Sequence, residues 1–155
     1  MPIERYDGPR DALLAMFALA DDSPVQIASY IGLGDVLVAR REGIIIGHAQ
    51  IVATDEPDVL ELKSLAVLAG HRGAGIGREL VEAAIAFSRE RRARSLVVST
   101  ATADIANLRF YQRRGFRMTR IVPDAFRPET GYPDGIMIDG IVLRDQVFFE
   151  LKLAD

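Results

Sequence analysis

A mixed α/β fold, with a central twisted and mostly antiparallel sheet flanked by helices, is predicted by three features of this chain. Three strand-like runs lie between residues 36 and 67 with only short turns between them. That is the pattern of a meander and not the strand–helix alternation of a parallel sheet. A glycine-rich stretch over residues 68–77 then runs directly into a helix-patterned segment, and two further strand patterns follow, separated by a second such helix. The 155 residues match the usual size of one domain, with 49% hydrophobic and 26% charged residues, so a single domain over 1–155 is expected.

Element by element, Ile3 to Tyr6 reads as a short first strand, and Pro9 and Asp11 open a helix with Leu13, Leu14, Met16 and Phe17 on one side. Ser23-Pro24, a cap followed by proline at the first helical position, starts a second helix that ends near Gly32 or Gly34. Val36–Arg40 and Ile44–Ile46 form a hairpin across Arg41-Glu42-Gly43, and the second strand continues through His48, Gln50 and Val52. Asp55–Asp58 turns the chain into a strand from Val59 to Val67. Ile76, Leu80, Ala83, Ala84 and Phe87 recur at helical spacing, Ser95–Thr100 is a short apolar strand, and Asp104 caps a helix stopped by Gly115. Phe116–Val122 reads as a strand, Pro123–Asp139 as an irregular loop, and Gln146–Leu153 as the last strand.

Composition excludes several chemistries. The chain has no cysteine, so thiolate nucleophiles, thiolate metal sites and disulfides are absent. A net charge of −3 gives no broad footprint for nucleic acid. No run approaches the roughly 20 apolar residues of a bilayer span, and Met1–Asp7 lacks the apolar core of a signal peptide. The expected setting is cytoplasmic, without membrane, nucleic-acid or metal partners.

The chemistry concentrates between Leu65 and Gly77, where a strand enters a loop of small residues, Arg72-Gly73-Ala74-Gly75-Ile76-Gly77, and the loop opens a helix. Helix N-termini present unpaired N–H groups, and glycine lets a phosphate approach the backbone closely. A phosphate loop of the lysine type does not fit, because Arg78-Glu79 follows the last glycine, and the glycine spacing is not that of a dinucleotide fingerprint.

Arg72-Gly73-Ala74-Gly75-Ile76-Gly77 resembles the Arg/Gln-x-x-Gly-x-Gly/Ala signature of the GCN5-related N-acetyltransferases, and Asn107-Leu108-Arg109-Phe110-Tyr111-Gln112-Arg113-Arg114-Gly115-Phe116 is similar to that family's second motif, Asn-x-x-x-Tyr-x-x-x-Gly-Phe. The resemblance implies acetyl-CoA as co-substrate. The backbone of Leu65, Ala66 and Val67 would pair with the pantetheine arm, and amides from Arg72 through Gly73, Ala74, Gly75 and Ile76 to Gly77 would bind the pyrophosphate. Asn107 would bond near the thioester, and Tyr111 would protonate the departing thiolate. It also implies direct transfer to an amine, with Glu61 acting as base through water. Strict alternation puts Glu61, Lys63, Leu65 and Val67 on one face and Leu60, Leu62, Ser64 and Ala66 on the other, the first bordering either a cleft or solvent. His48 is a second candidate base, although a lone strand histidine is more often structural.

A small-molecule amine is the favoured acceptor, because Asp124, Glu129, Asp134 and Asp139 lie in or beside the 123–139 loop with Phe126 and Tyr132, and carboxylates and aromatic faces suit a cation. A protein amine as acceptor, or a non-catalytic acyl-CoA sensor, are the alternatives. Arg89, Arg91, Arg92 and Arg94 gather at a helix end, to be solvated or to meet the 3′-phosphate. Dimers are common among the family, and the apolar last strand, with Val147, Phe148, Phe149 and Leu151, is a candidate contact for a homodimer.

Overall fold

The computed structural model describes residues 2–154. The elements run β1 (Ile3–Arg5), α1 (Leu14–Ala20), α2 (Pro24–Tyr30), β2 (Asp35–Arg41), β3 (Ile44–Ala53), β4 (Val59–Val67), α3 (Ile76–Glu90), β5 (Ser95–Ala101), α4 (Ile105–Arg113), β6 (Arg117–Val122), β7 (Met137–Ile138), β8 (Ile141–Val142) and β9 (Gln146–Lys152). Local signals explain most boundaries. The Ser23 hydroxyl accepts from the Gln26 amide at 3.1 Å, with Pro24 beside it in the first turn of α2. Glu42 and Gly43 both take positive φ, 53° and 79°, as a two-residue hairpin turn between β2 and β3 requires. Asp104 caps α4 by accepting from the Asn107 amide.

Seven strands form one sheet in the order β1-β2-β3-β4-β5-β9-β6, antiparallel throughout except between β4 and β5. The expected mixed α/β fold with a mostly antiparallel sheet is therefore what this sequence adopts. The parallel ladder runs from Val59↔Ser95 to Leu62↔Val98. Beyond it, β4 continues to Val67 on the β3 ladder, and β5 continues to Ala101 on the β9 ladder. The sheet thus opens into a wedge after Leu62 and Val98, and the two clefts described below border it.

Each sheet face carries its own helices. Ile76, Leu80 and Ala84 of α3 and Tyr111 of α4 pack with Leu37, Ala49, Leu62, Val98 and Phe149 on one face. On the other, Leu13 and the α1 and α2 side chains Phe17, Ile27 and Tyr30 cover Val36 and Val38. Fully burying a leucine or phenylalanine contributes about 1.5–3 kcal/mol, so the two layers together hold the wedge walls in place.

Three sequence expectations are corrected. The strict alternation along β4 fails, because Gln50 pairs with Ser64 while Ile51 pairs with Leu62, leaving Lys63 as the extra residue of a β-bulge. The bulge reverses the phase: Leu65 and Val67 join Leu60 and Leu62 against the α3 layer, while Ser64 turns to His48 on the α1–α2 face. The last strand has no free edge for a second copy to extend. β9 is paired on both sides, by β5 and β6, and Val147 and Phe149 are core. The 123–139 segment is more ordered than expected, with a 3-10 turn at Pro128–Thr130 and β7 pairing with β8.

Candidate active site

Two clefts meet in the wedge. The first lies on the α3–α4 side and is walled by Leu65, Ala66 and Val67, the loop residues Arg72, Gly73 and Gly75, the start of α3, and Asn107, Phe110 and Tyr111 of α4. Gly73 and Gly75 take φ of +83° and +82°, and a Cβ at either would meet nothing within 4 Å. Packing against the protein therefore does not demand these glycines; the backbone conformation does, and the space beside each Cα is open. Gly75 is also the N-cap of the 15-residue α3 and supplies no side-chain cap to its first amides. Unpaired amides, a positive dipole end and the lining guanidinium groups of Arg72, Arg78, Arg113 and Arg114 form a donor set that fits an anionic phosphate chain. The Val67–Arg72 turn is braced by the Arg72 guanidinium, whose Nε donates to the Val67 carbonyl at 3.0 Å.

The second cleft, about 590 Å3, lies across the wedge. Its wall comes from Asp21, Asp22, Gln26 and Tyr30 of the α1–α2 region, Lys63 and Ser64 of β4, Thr100 of β5, and Phe126, Thr130 and Tyr132 of the late loop. Leu19, Ala20, Leu65, Asp104, Asn107 and Tyr111 line both clefts, so the two spaces join at these residues.

At the junction, Asn107 donates from its amide side chain to the Thr100 hydroxyl at 3.1 Å, which fixes it across the wedge. Tyr111 is buried at 5% exposure, its ring set against Phe110, Phe116 and Phe149. Burial, reinforced by the Asp104 carboxylate, raises the Tyr111 pKa and keeps the phenol protonated. Such a group can hold and donate a proton but cannot rest as a phenolate.

On the far side, the Asp21 carboxylate is gripped by two phenols. Tyr30 donates to one oxygen and Tyr132 to the other, each at 2.7 Å, and the Ser23 amide adds a third bond at 3.0 Å. Burial and these hydrogen bonds to Asp21 raise the pKa of both tyrosines, which stay neutral donors.

Glu61 is half-buried, two residues before the bulge, and its side chain lies outside the lining of both clefts. Burial raises its pKa, an effect that Lys63 partly offsets. His48 stands behind Ser64, also outside the linings, with Nε2 2.7 Å from the Ser64 hydroxyl and its ring stacked on Phe17 at 4.4 Å. Burial pushes its pKa down to about 4, so the ring is neutral near pH 7.

The carboxylates of the 123–139 segment lie apart from the second cleft. Phe126 and Tyr132 do face the second cleft, but Asp124, Glu129, Asp134 and Asp139 do not line it; the carboxylates that do are Asp21, Asp22 and Asp104. The available signal was the acidic pair at the break between two helices, beside a residue already read as a cap. The arginines at the end of α3 also serve elsewhere: Arg94 pairs with Glu56 and with Asp58, and Arg91 lies over the Phe87 ring. The basic groups on the phosphate-loop cleft are instead those of the loop, α3 and α4.

A wedge-shaped sheet, a glycine loop feeding an uncapped helix and a buried phenol at the junction of two clefts define a class of acyl-CoA-dependent transferases. The family comparison agrees: the acetyltransferase (GNAT) family profile matches residues 11–116, and the chain belongs to that family. The chain is similar to a solved IAA acetyltransferase from Bacillus cereus ATCC 14579, at 33% identity and TM-score 0.88 over 98% of this chain and 99% of that one. A family member from Elizabethkingia anophelis, solved with acetyl-CoA bound, is 27% identical with TM-score 0.86, covering 98% and 97%. The N-acetyltransferase YvbK of Bacillus subtilis is 29% identical over 151 residues, 97% of this chain and 96% of its own length. The protein is an N-acetyltransferase, and acetyl-CoA is its co-substrate.

Proposed function

We propose that the chain transfers acetyl from acetyl-CoA to a primary amine of a small molecule, by direct attack within the wedge. The observation that carries this reading is the second cleft: its volume suits a small ligand, its wall is acidic and aromatic, and it meets the phosphate-loop cleft at Asn107 and Tyr111.

When bound, the co-substrate supplies an acyl group already activated as a thioester. The free edge of Leu65, Ala66 and Val67 holds its pantetheine arm by strand addition, and the amides from Arg72 to Gly77 hold its pyrophosphate. Asn107, fixed by Thr100, offers hydrogen bonds beside the thioester. The amine nitrogen bonds to the acyl carbon as the carbon–sulfur bond breaks; Tyr111 gives its proton to the sulfur, and the amine's surplus proton leaves through water towards Glu61.

Glu61 can accept that proton only when ionised, and its pKa is raised by burial. As pH falls through that raised value the carboxyl becomes neutral and kcat/KM should fall with it. In Glu61→Gln we expect a loss of about 10-fold or more on the plateau and disappearance of this acid limb. A pH–rate profile equal to the parent's would assign the base role to another group.

The function itself is tested by thermal unfolding with and without acetyl-CoA, then thiol release over a panel of small amines. Acetyl-CoA should raise the midpoint, since it binds only the folded chain, and at least one small amine should release free thiol. Release only with peptide N-termini or lysines would replace this reading with a protein acceptor, and a midpoint shift without release on any amine would leave a sensor.

A further inference from the structure

The second cleft has one cation among its lining side chains, and it is delivered by an irregularity in the sheet. Lys63 is the extra residue of the β4 bulge, which turns its side chain out of the strand's alternation and into the cleft. Its ammonium sits 4.9 Å from the centre of the Tyr30 ring, a seat that orients the group without neutralising its charge. Among the described residues Lys63 makes no ion pair, and Glu61 acts on it only through its field.

The polar groups around it are engaged with one another. Ser64 is bonded to His48, Gln26 donates to the Thr130 carbonyl at 2.9 Å, and both tyrosine phenols donate to Asp21. Among the charged groups the wall presents to a ligand are an oriented ammonium on one side and the exposed Asp22 carboxylate on another. A plain diamine or polyamine brings no anion to the Lys63 ammonium, whereas a ligand carboxylate pairs with it directly.

Building on the small-amine reading, we infer that Lys63 is a specificity-determining residue that binds a carboxylate on the acceptor, so that the acceptor class is an amine bearing a carboxyl group, an amino acid or a close relative. The carboxylate completes the partnership that Tyr30 leaves open, and it fixes the amine's position relative to Asn107 and Tyr111. A charge-assisted hydrogen bond of this kind is stronger than a neutral one, which is enough to set a preference.

The test uses matched pairs differing only in the α-carboxylate: phenylalanine with phenethylamine, leucine with isopentylamine, lysine with cadaverine. Each is titrated calorimetrically into the full chain saturated with CoA, so that no turnover is needed. At least one amino acid should bind about 10-fold or more tightly than its partner, a gap of about 1.4 kcal/mol. Lys63→Met should shrink that gap to about threefold or less, and Lys63→Arg, which keeps the charge, should retain most of it. The inference is overturned if the simple amines bind equally or better, if the gap survives in Lys63→Met, or if no amino acid binds a chain that CoA stabilises. Thiol release on simple amines without any carboxylate preference removes the anchor and leaves the small-amine function standing. Amino-acid binding through Lys63 with no thiol release on any amine does the reverse.

Discussion

Tyr111→Phe is expected to lower kcat by about 10²–10⁴-fold, the usual contribution of a positioned proton donor, while the affinity for acetyl-CoA stays within about twofold. The structure makes this a clean substitution. The ring supports Phe116 and Phe149 in the core, and phenylalanine preserves that packing. Only the hydroxyl is lost, at the point where the two clefts join. A thiol with a pKa near 8.5 is mostly protonated at neutral pH, so the departing thiolate takes up a proton, and a phenol held neutral by burial and by Asp104 has one available. Its raised pKa also means that the proton must be returned at once, so the amine's proton and the phenol's must move in one turnover. Steady-state thiol release, with acetyl-CoA binding measured in parallel, decides the matter. Unchanged kcat would reduce Tyr111 to a core aromatic.

The second large effect is expected at Gly75. Gly75→Glu should weaken acetyl-CoA binding by at least about 100-fold, or roughly 2.7 kcal/mol, and Gly75→Ala by no more than about threefold. The contrast separates two causes. Both variants pay for a side chain at a φ of +82°, a cost of about 1–2 kcal/mol taken mainly from folding. The alanine Cβ meets nothing within 4 Å, so it neither clashes nor blocks. The glutamate adds a negative charge at the N-terminus of α3, where an anion is to be held. Calorimetric titration with acetyl-CoA reads the difference. Parent-like affinity in Gly75→Glu would remove the loop from the cofactor site, and an equal loss in both variants would mean that backbone conformation, not the anion, governs the loop.

The fold and the glycine loop that opens α3 were legible because their signals are local. Ser23-Pro24, Asp104 and Gly115 each act within one turn of chain, and the loop's glycines precede a helix they cannot cap with a side chain. The features that escaped are tertiary. A bulge at Lys63 leaves no mark in a period-two pattern, since it depends on which β3 residue each neighbour meets. Strand order is equally silent: Val147-Phe148-Phe149 looked like a free apolar surface, although such a continuous run suits a strand covered on both faces, and β9 lies inside the sheet. The acidic wall was assigned to the late loop because that loop carries carboxylates beside aromatics. The chain instead brings the aromatic from that loop and the carboxylate from Asp21, 111 positions earlier.

That phenol–carboxylate–phenol clasp has a consequence for how the protein can change over generations. Apart from Leu19 and Ala20, the cleft beside the glycine loop is lined by one stretch of chain from β4 through α4, whereas the second cleft adds the first helices and the late loop, held together at Asp21 by Tyr30 and Tyr132. With the acceptor in the second cleft, as proposed, variation at residues 21–30 and 125–143 would reshape what is accepted while leaving the glycine-loop cleft largely unchanged, provided the three clasping side chains are kept. A lineage, or a designer, can hold the donor apparatus constant and explore new acceptors by exchanging those two segments as a pair.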